Sequence, residues 1–542
     1  MLGLMQDWPL LLHRVIDYAA IQHPRREVVS RSVEGPLLRT NYAEIRLRAL
    51  KLAQCLARDG VKVGDRIATL AWNTARHLEA WYGIAGVGAV YHTVNPRLFP
   101  EQNVWNMNHA SDRIVMTDLS FVPLLEAIAD KLPSVQRYVL LTDRADMPAT
   151  SLKNATCYED WLAGADGDFR WVAVDEKAAA GLCYTSGTTG NPKGVLYSHR
   201  SNLLHALQVS GNSGFGLSPL DTVLPIVPLF HANSWSLAFS APMTGAKMVM
   251  PGPKLDGESV FNLLESEAVT FSAAVPTIWL MLLQYMQKTG KKLTTLNRAG
   301  IGGSACPRPI MEAFEKDYGV QIIHSWGMTE MSPVGSTGTL KHGVENLKGA
   351  ALYDLKQKQG YALFGVEMII TDDAGRHLPW DGKAFGRLKV RGCAVSSAYF
   401  GLDDNILDAE GYFDTGDVAT IDPQGYMQIT DRAKDVIKSG GEWISSIDIE
   451  NVAIGHPDVM EAAVIGIAHR KWDERPLLIV VAKEGKAPQR DAVLDFMQGK
   501  IAKWWMPDDV QVIAEIPHTA TGKINKLKLR ELFKDYRLPS DS

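Results

Sequence analysis

The chain has 542 residues, 46% of them hydrophobic, which is enough for a large buried core and more than one core usually holds, so two or more domains are expected. Lys and Arg number 56 against 61 Asp and Glu, and a net charge of -5 gives no sign of a nucleic-acid partner. The five cysteines (Cys55, Cys157, Cys183, Cys306 and Cys393) are odd in number and form no CxxC pair, which argues against a disulfide framework and against a cysteine zinc site.

The N-terminus carries Asp7 early and lacks a basic start followed by a long apolar run, and no stretch of about 18 uncharged apolar residues follows. A cytoplasmic protein with no membrane partner is therefore expected. Asn41 with Glu44 looks like a capping box, and Ile45, Ala49, Leu52, Ala53 and Leu56 then share one apolar helical face. Gly60 ends that helix. Strands are expected at 66–72, 89–94, 113–117 and 137–141, with helices around 76–85 and 122–131. This alternation predicts parallel sheets flanked by helices, an α/β class. An apolar strand at 178–183 leads into the string Tyr184-Thr185-Ser186-Gly187-Thr188-Thr189-Gly190-Asn191-Pro192-Lys193-Gly194. After about Ala384 the pattern turns to β-ribbons, at 386–392 and within 412–429. A polar run at 431–435 marks the domain boundary. Beyond it lies a small α+β unit: helical at 444–454, strands at 459–467 and 477–482, helical at 490–500. The division expected is 1–431 and 432–542.

The Thr185–Gly190 string with Lys193 is the strongest chemical signal. Glycines let backbone N–H groups approach an anion, hydroxyls add donors, and lysine supplies a point charge for phosphate. As bare residues the same string reads as an ordinary Gly/Ser/Thr loop. It is not a Walker A loop, because no Gly-Lys pair here is followed by Ser or Thr. GxGxxG, HExxH and GxSxG are absent, so nicotinamide, zincin and α/β-hydrolase chemistries lose their main support.

Further motifs follow in order: His324-Ser325-Trp326-Gly327-Met328-Thr329-Glu330; Tyr412-Phe413-Asp414-Thr415-Gly416-Asp417; Asp431-Arg432-Ala433-Lys434-Asp435 running on to Lys438-Ser439-Gly440-Gly441-Glu442; and Pro517-His518-Thr519-Ala520-Thr521-Gly522-Lys523-Ile524. With these motifs the chain resembles, over nearly its whole length, the adenylate-forming superfamily of acyl-CoA synthetases, peptide-synthetase adenylation domains and luciferases. One departure is Val418-Ala419, where the family often has a Gly. The resemblance implies a large N-terminal domain of flanked parallel sheets with a β-barrel-like subdomain, and a small mobile C-terminal domain.

It also implies roles. ATP and AMP would be held by Thr185, Ser186, Gly187, Thr188, Thr189, Gly190, Lys193, Gly303, Ser304, Trp326, Gly327, Thr329, Asp417 and Arg432. Trp326 offers a face for adenine, Asp417 accepts from the ribose hydroxyls, and Arg432 donates to ribose or phosphate. Alone they would read as a core residue, a turn and a surface charge. Glu330 with Thr185 would hold Mg2+. Lys523 would neutralise the oxygens that meet when a carboxylate attacks the α-phosphate. Lys434 would be the hinge, and Lys438, Ser439, Gly440, Gly441 and Trp443 would face CoA. His231 reads equally as a phosphate sensor or thiol gate and as a packed histidine; His199 reads as packing.

The acyl pocket is expected to draw on Trp235, Gly302, Gly303, Met331 and Pro333, with the bulky Trp235 as its floor and no charged group. Short or medium uncharged acids follow. The stretch from Pro228 through Trp235 resembles the medium-chain acyl-CoA ligase branch, which includes bacterial 3-methylmercaptopropionate–CoA ligases. The resemblance implies an AMP-forming acid–CoA ligase with ATP, CoA and a small acid as partners, and it is compatible with a homodimer. A carrier-loading adenylation enzyme, a luciferase-like oxygenase and a non-catalytic binding protein share the motifs. With 19 residues after Lys523, any carrier is expected on a separate chain.

Overall fold

A computed structural model of the chain describes residues 1, 3–185, 191–433, 435–439, 442–518 and 524–541. Two large sheets form the body. The first has seven strands, in the order Ala155–Cys157, Arg137–Leu140, Ile114–Thr117, Arg66–Leu70, Val90–Thr93, Ala179–Tyr184 and Gly194–Ser198. All its pairings are parallel except the last, where Gly194–Ser198 runs antiparallel to Ala179–Tyr184. The second, of nine strands, is parallel through Gln321–Gly327, Arg298–Ile301, Phe271–Ala274, Thr222–Pro225, Lys247–Met250 and Glu27–Arg31, with antiparallel strands at both edges. Parallel strands need both faces covered, and the continuous burial of Ile67 to Leu70, Val90 to Thr93 and Ile114 to Thr117 meets that need.

The expected alternation is present. Helix Tyr42–Arg58 begins where Asn41 Oδ1 accepts the Glu44 N–H at 3.0 Å, and Ile45, Ala49, Leu52, Ala53 and Leu56 are buried along it. The helix expected at 122–131 splits into α-helix Val122–Ile128 and a 3-10 turn Ala129–Lys131.

The β-rich subdomain is an antiparallel sheet of four strands: Val366–Thr371, Gly386–Gly392, Phe413–Ile421 and Met427–Arg432. Its two outer strands are not paired with each other, so it is an open sheet where a barrel-like form was expected. Beyond it, Glu442–Ile444, Ile437–Ser439, Asp473–Ala482, Val459–His469 and Asp509–Ile513 build a fourth sheet with its own apolar cluster. The helix expected from 444 starts later, at Ser446, because the Ser445 hydroxyl caps it by accepting the Asp448 N–H. All five cysteines are free thiols, and all but Cys393 are buried. Among the described residues no helix is long and apolar enough to cross a membrane.

Candidate active site

The buried strand Ala179–Tyr184 runs parallel to Val90–Thr93 and delivers Thr185 at its C-terminal end, the edge where open α/β sheets bind ligands. The chain returns at Lys193, and two hydrogen bonds close the neck: Thr185 N–H donates to the Lys193 carbonyl at 2.9 Å, and Lys193 N–H to Thr185 Oγ1 at 3.3 Å. Ser186, Gly187, Thr188, Thr189 and Gly190 lie outside the described residues.

The Lys193 ammonium sits 4.7 Å from the centre of the Tyr399 ring. The Tyr399 hydroxyl in turn donates to Glu330 Oε1 at 2.9 Å. Burial, then the Glu330 charge, pushes the Tyr399 phenol far above its ordinary pKa, so it stays a donor. Glu330 is buried in the short turn Thr329–Met331. That turn is pinned from two sides: Tyr197 Oη donates to the Thr329 carbonyl at 2.7 Å, and Ser396 N–H to the Glu330 carbonyl at 2.8 Å. Thr185, Lys193, Tyr399 and Glu330 thus form one connected group.

Strand Gln321–Gly327 leads into the same turn and presents Trp326 on the other side. The indole Nε1 donates to Asp417 Oδ2 at 2.9 Å, while Arg432 Nε donates to Asp417 Oδ1 at 2.9 Å. Asp417 and Arg432 are register partners on adjacent antiparallel strands, which is why they meet. The Asp417 side chain is 5% exposed and Arg432 41%, so the carboxylate is shielded while the guanidinium reaches solvent. Trp326 keeps one edge anchored and stays half-buried. Gly327 is required: a Cβ there would lie 2.0 Å from the Pro333 carbonyl oxygen.

Gly302 and Gly303 follow strand Arg298–Ile301. A Cβ on Gly302 would fall 2.6 Å from the Ser325 carbonyl oxygen and 3.1 Å from the tip of the Trp235 ring, so glycine lets Trp235 approach this strand end. Gly303 has φ +84° and, like Ser304, is exposed. Pro333 is buried, and its carbonyl accepts the Met328 N–H at 3.0 Å. Met331 is buried among Val366, Met368 and Trp326, at the root of the antiparallel sheet. His231 is half-buried and its carbonyl accepts the Ser234 N–H at 3.2 Å. His199 is buried with Nδ1 accepting the Leu12 N–H at 3.2 Å, and burial lowers its pKa to about 4, as suits a packed neutral ring.

The AMP-binding enzyme family matches residues 16–400, and the AMP-binding enzyme C-terminal domain matches residues 448–523. The chain belongs to the AMP-binding enzyme family. It is 48% identical to the 3-methylmercaptopropionyl-CoA ligase of Ruegeria lacuscaerulensis, over 99% of both chains. It is 45% identical to the medium-chain-fatty-acid–CoA ligase of Ectopseudomonas oleovorans, over 100% of this chain and 99% of that one. Among solved structures it is similar to ATP-bound MatB from Rhodopseudomonas palustris, with a TM-score of 0.81 and 25% identity over 97% of this chain and 99% of that one.

In this AMP-binding enzyme Lys438 and Ser439 lie on strand Ile437–Ser439; Lys438 is exposed, and buried Ser439 accepts from Arg475 Nη1 at 3.4 Å. Gly440, Gly441, Lys434 and Lys523 lie outside the described residues, as does the side chain of Trp443. The flanks of Lys523 are described: His518 pairs with Ile524, Asn525 N–H donates to the Pro517 carbonyl at 2.7 Å, and the His518 ring meets Glu461 at 2.6 Å. Two residues of the site escaped sequence reasoning, Tyr399 and Tyr197. Both join the cluster through contacts with residues far away along the chain, and the only local hint for Tyr399 is an aromatic in a small-residue loop.

Proposed function

We propose that this protein is an ATP-dependent acid–thiol ligase that makes an acyl-CoA through an acyl-adenylate, on a short or medium uncharged acid, 3-methylmercaptopropionate among them. One observation carries the reading. Trp326 and Glu330, four residues apart, join two groups: a nucleoside anchor (Trp326, Asp417, Arg432) and a phosphate-side group (Glu330, Tyr399, Lys193, Thr185). A nucleotide laid along this segment has its base and ribose at one end and its phosphates at the other. The relatives named for 3-methylmercaptopropionate and for medium-chain acids support the choice of acid, because both tails are narrow, flexible and uncharged.

In the first half-reaction the acid's carboxylate oxygen attacks the α-phosphorus of ATP; the bond from that phosphorus to the bridging oxygen breaks, and pyrophosphate leaves. Two anions must meet, so the residues contribute mainly alignment and charge: Asp417 and Arg432 fix the ribose, Lys193 and the Thr185–Gly190 string hold the phosphates, and Lys523 neutralises the converging oxygens. Glu330 fits Mg2+, since among the described residues one of its carboxylate oxygens carries the Tyr399 bond and the other is left for a hard cation, with the Thr185 hydroxyl in the same group. Mg2+ held there supplies positive charge against the phosphates.

In the second half-reaction CoA's sulfur attacks the acyl carbon and AMP leaves, the thiol giving up its proton. A free thiol titrates near ~8.5, so mildly basic pH favours this step. The division proposed is 1–431 for the nucleotide and acyl sites and 432–542 for a domain that turns about Lys434, exchanging Lys523 for the Gly440-Gly441 face. A cytoplasmic setting, where ATP and CoA are both present, is part of the same reading.

The test is purified protein with ATP, Mg2+, CoA and acids of graded length, 3-methylmercaptopropionate included, scored for AMP and pyrophosphate. Acyl-CoA should form best with short or medium acids. A maximum at long-chain acids overturns the proposed pocket, and absence of pyrophosphate with every acid overturns the ligase reading.

A further inference from the structure

The segment that carries Trp235 has a backbone that L-residues avoid. Ala232, Asn233, Ser234, Trp235 and Ser236 all have positive φ, at 45°, 53°, 50°, 53° and 63°, and none is glycine. Left-handed residues normally occur singly; five in succession persist only where their surroundings over-determine them.

Two buried hydrogen-bond networks do this. In the first, Asn202 Nδ2 donates to Tyr91 Oη at 3.2 Å, Tyr91 Oη donates to Asn233 Oδ1 at 3.2 Å, and Asn233 Nδ2 donates to Asn202 Oδ1 at 3.0 Å. The three bonds close a ring whose members are all 0% exposed. In the second, His205 joins two segments: its Nε2 lies 2.9 Å from the Val334 N and 3.1 Å from the Val334 carbonyl oxygen, its Nδ1 shares a hydrogen bond with Ser236 Oγ at 2.5 Å, and Ser236 Oγ reaches the Ser332 carbonyl at 3.4 Å. Burial lowers the His205 pKa to about 4, so the ring stays neutral at working pH and binds both segments without a charge. A further bond runs from Ser234 Oγ to the Val227 carbonyl at 2.6 Å.

Asn202 and His205 are three apart on helix His199–Ser210 and so lie on one face of it. That face grips Asn233 and Ser236, on either side of Trp235, and Trp235 is left to meet the Gly302 strand end. The second network also ties the turn to Ser332, beside the turn that carries Glu330.

We propose that the left-handed turn is a rigid bracket for the Trp235 ring, and that Tyr91, Asn202, His205, Asn233 and Ser236 are positioning residues that set how sharply the enzyme rejects acids longer than its optimum. The proposal rests on the reading of Trp235 as the end wall of the acyl pocket. With the bracket intact, the indole cannot retreat and one extra methylene clashes. With it loosened, the turn has the ordinary right-handed backbone to relax into, the ring withdraws from Gly302, and a longer tail gains its burial, worth about four-fold per methylene.

The test uses the full-length enzyme and unbranched saturated acids of increasing length, with kcat/KM for pyrophosphate release measured on each. The quantity read is the ratio of kcat/KM at the optimum to that for the acid two carbons longer. Ser236→Ala, Tyr91→Phe and His205→Phe should each lower that ratio, by about fifteen-fold in the strongest case given two accommodated methylenes, while KM for ATP stays at the parent value. A merely destabilising change would not alter the ratio. Trp235→Ala is the control for the underlying reading and should move the optimum to longer acids. If Trp235→Ala moves it and the ratio is unchanged in Ser236→Ala and Tyr91→Phe, the bracket is refuted and the pocket stands. If Trp235→Ala leaves the profile where it was, the pocket reading itself fails and takes the bracket with it. Should His205→Phe not fold, the two milder variants decide alone.

Discussion

Asp417→Asn perturbs the nucleoside anchor with almost no change of shape. Each carboxylate oxygen already holds one donor at 2.9 Å, Arg432 Nε on Oδ1 and Trp326 Nε1 on Oδ2. Asparagine has one acceptor oxygen, so its NH2 group must face either the guanidinium or the indole N–H. Losing a hydrogen bond to a charged group costs about 1.5–3 kcal/mol. Arg432 is 41% exposed, so water takes up part of its loss, and the amide oxygen stays on the shielded Trp326 side. The cost then falls near the lower end, about 2 kcal/mol, or roughly 30-fold in an equilibrium constant. The ribose contacts proposed for Asp417 and Arg432 would be made alike in ground and transition states, so this loss is expected in KM for ATP with kcat little changed. Initial rates of acid-dependent pyrophosphate release at varied MgATP measure it, with a thermal melt to confirm folding. A KM within about two-fold of the parent, or a fall in kcat at unchanged KM, refutes the anchor.

Three other outcomes are expected. Lys523→Ala should slow adenylate formation by at least ~100-fold while thioester formation from preformed acyl-AMP survives; equal loss of both steps contradicts its role. Lys526 bonds Glu450 at 2.8 Å and lies 3.9 Å from Asp431, all three nearly buried, so Lys526→Met leaves unpaired carboxylates and should cost about 3–5 kcal/mol by denaturant unfolding; a loss below ~1 kcal/mol contradicts it. Burial raises the Asp118 carboxyl from 3.8 to about 7 against the pull of the Trp72 N–H, so the folded state holds its proton longer than the unfolded chain does. Its contribution is therefore greatest below about pH 4, falls as pH rises to about 7 and is flat above, by at most about 4 kcal/mol, and Asp118→Asn should abolish that slope in denaturant midpoints taken from about pH 4 to 8; parallel curves for the two proteins contradict the burial argument.

How far the structure could be read from the sequence depends on the range of the forces involved. The Asn41 cap and the apolar face from Ile45 to Leu56 are local, set by partners within a turn or two, and both appear where periodicity puts them. Strand Gly386–Gly392 likewise matches its expected span. The shift of the next domain's helix to Ser446 is local too, and Ser445 was available as its cap. The open form of the four-stranded sheet was not legible, since closure depends on whether two outer strands meet, and no single strand carries that information.

The site divides the same way. Trp326, Asp417 and Arg432 were named through motifs, yet nothing in their spacing said that one carboxylate would hold both donors; that follows from the Asp417–Arg432 register and a contact spanning 91 residues. Tyr399 had no motif. Its place between Lys193 and Glu330 is made by backbone bonds on both sides of it, Ser396 N–H to the Glu330 carbonyl and Phe400 N–H to the Gly194 carbonyl, neither of which depends on side-chain type. The left-handed turn is the extreme case. A sequence signals positive φ through glycine or asparagine, and of its five residues Asn233 alone has that tendency. Its conformation is imposed by Tyr91, Asn202 and His205, between 31 and 142 residues away in sequence from the groups they bind. Reactive groups can be recognised by type because chemistry restricts which residue can do the work, whereas the framework that aims them is assembled from interchangeable polar groups at long range. On this reasoning, substitutions in that distant framework should alter which acid is accepted while every motif residue stays in place.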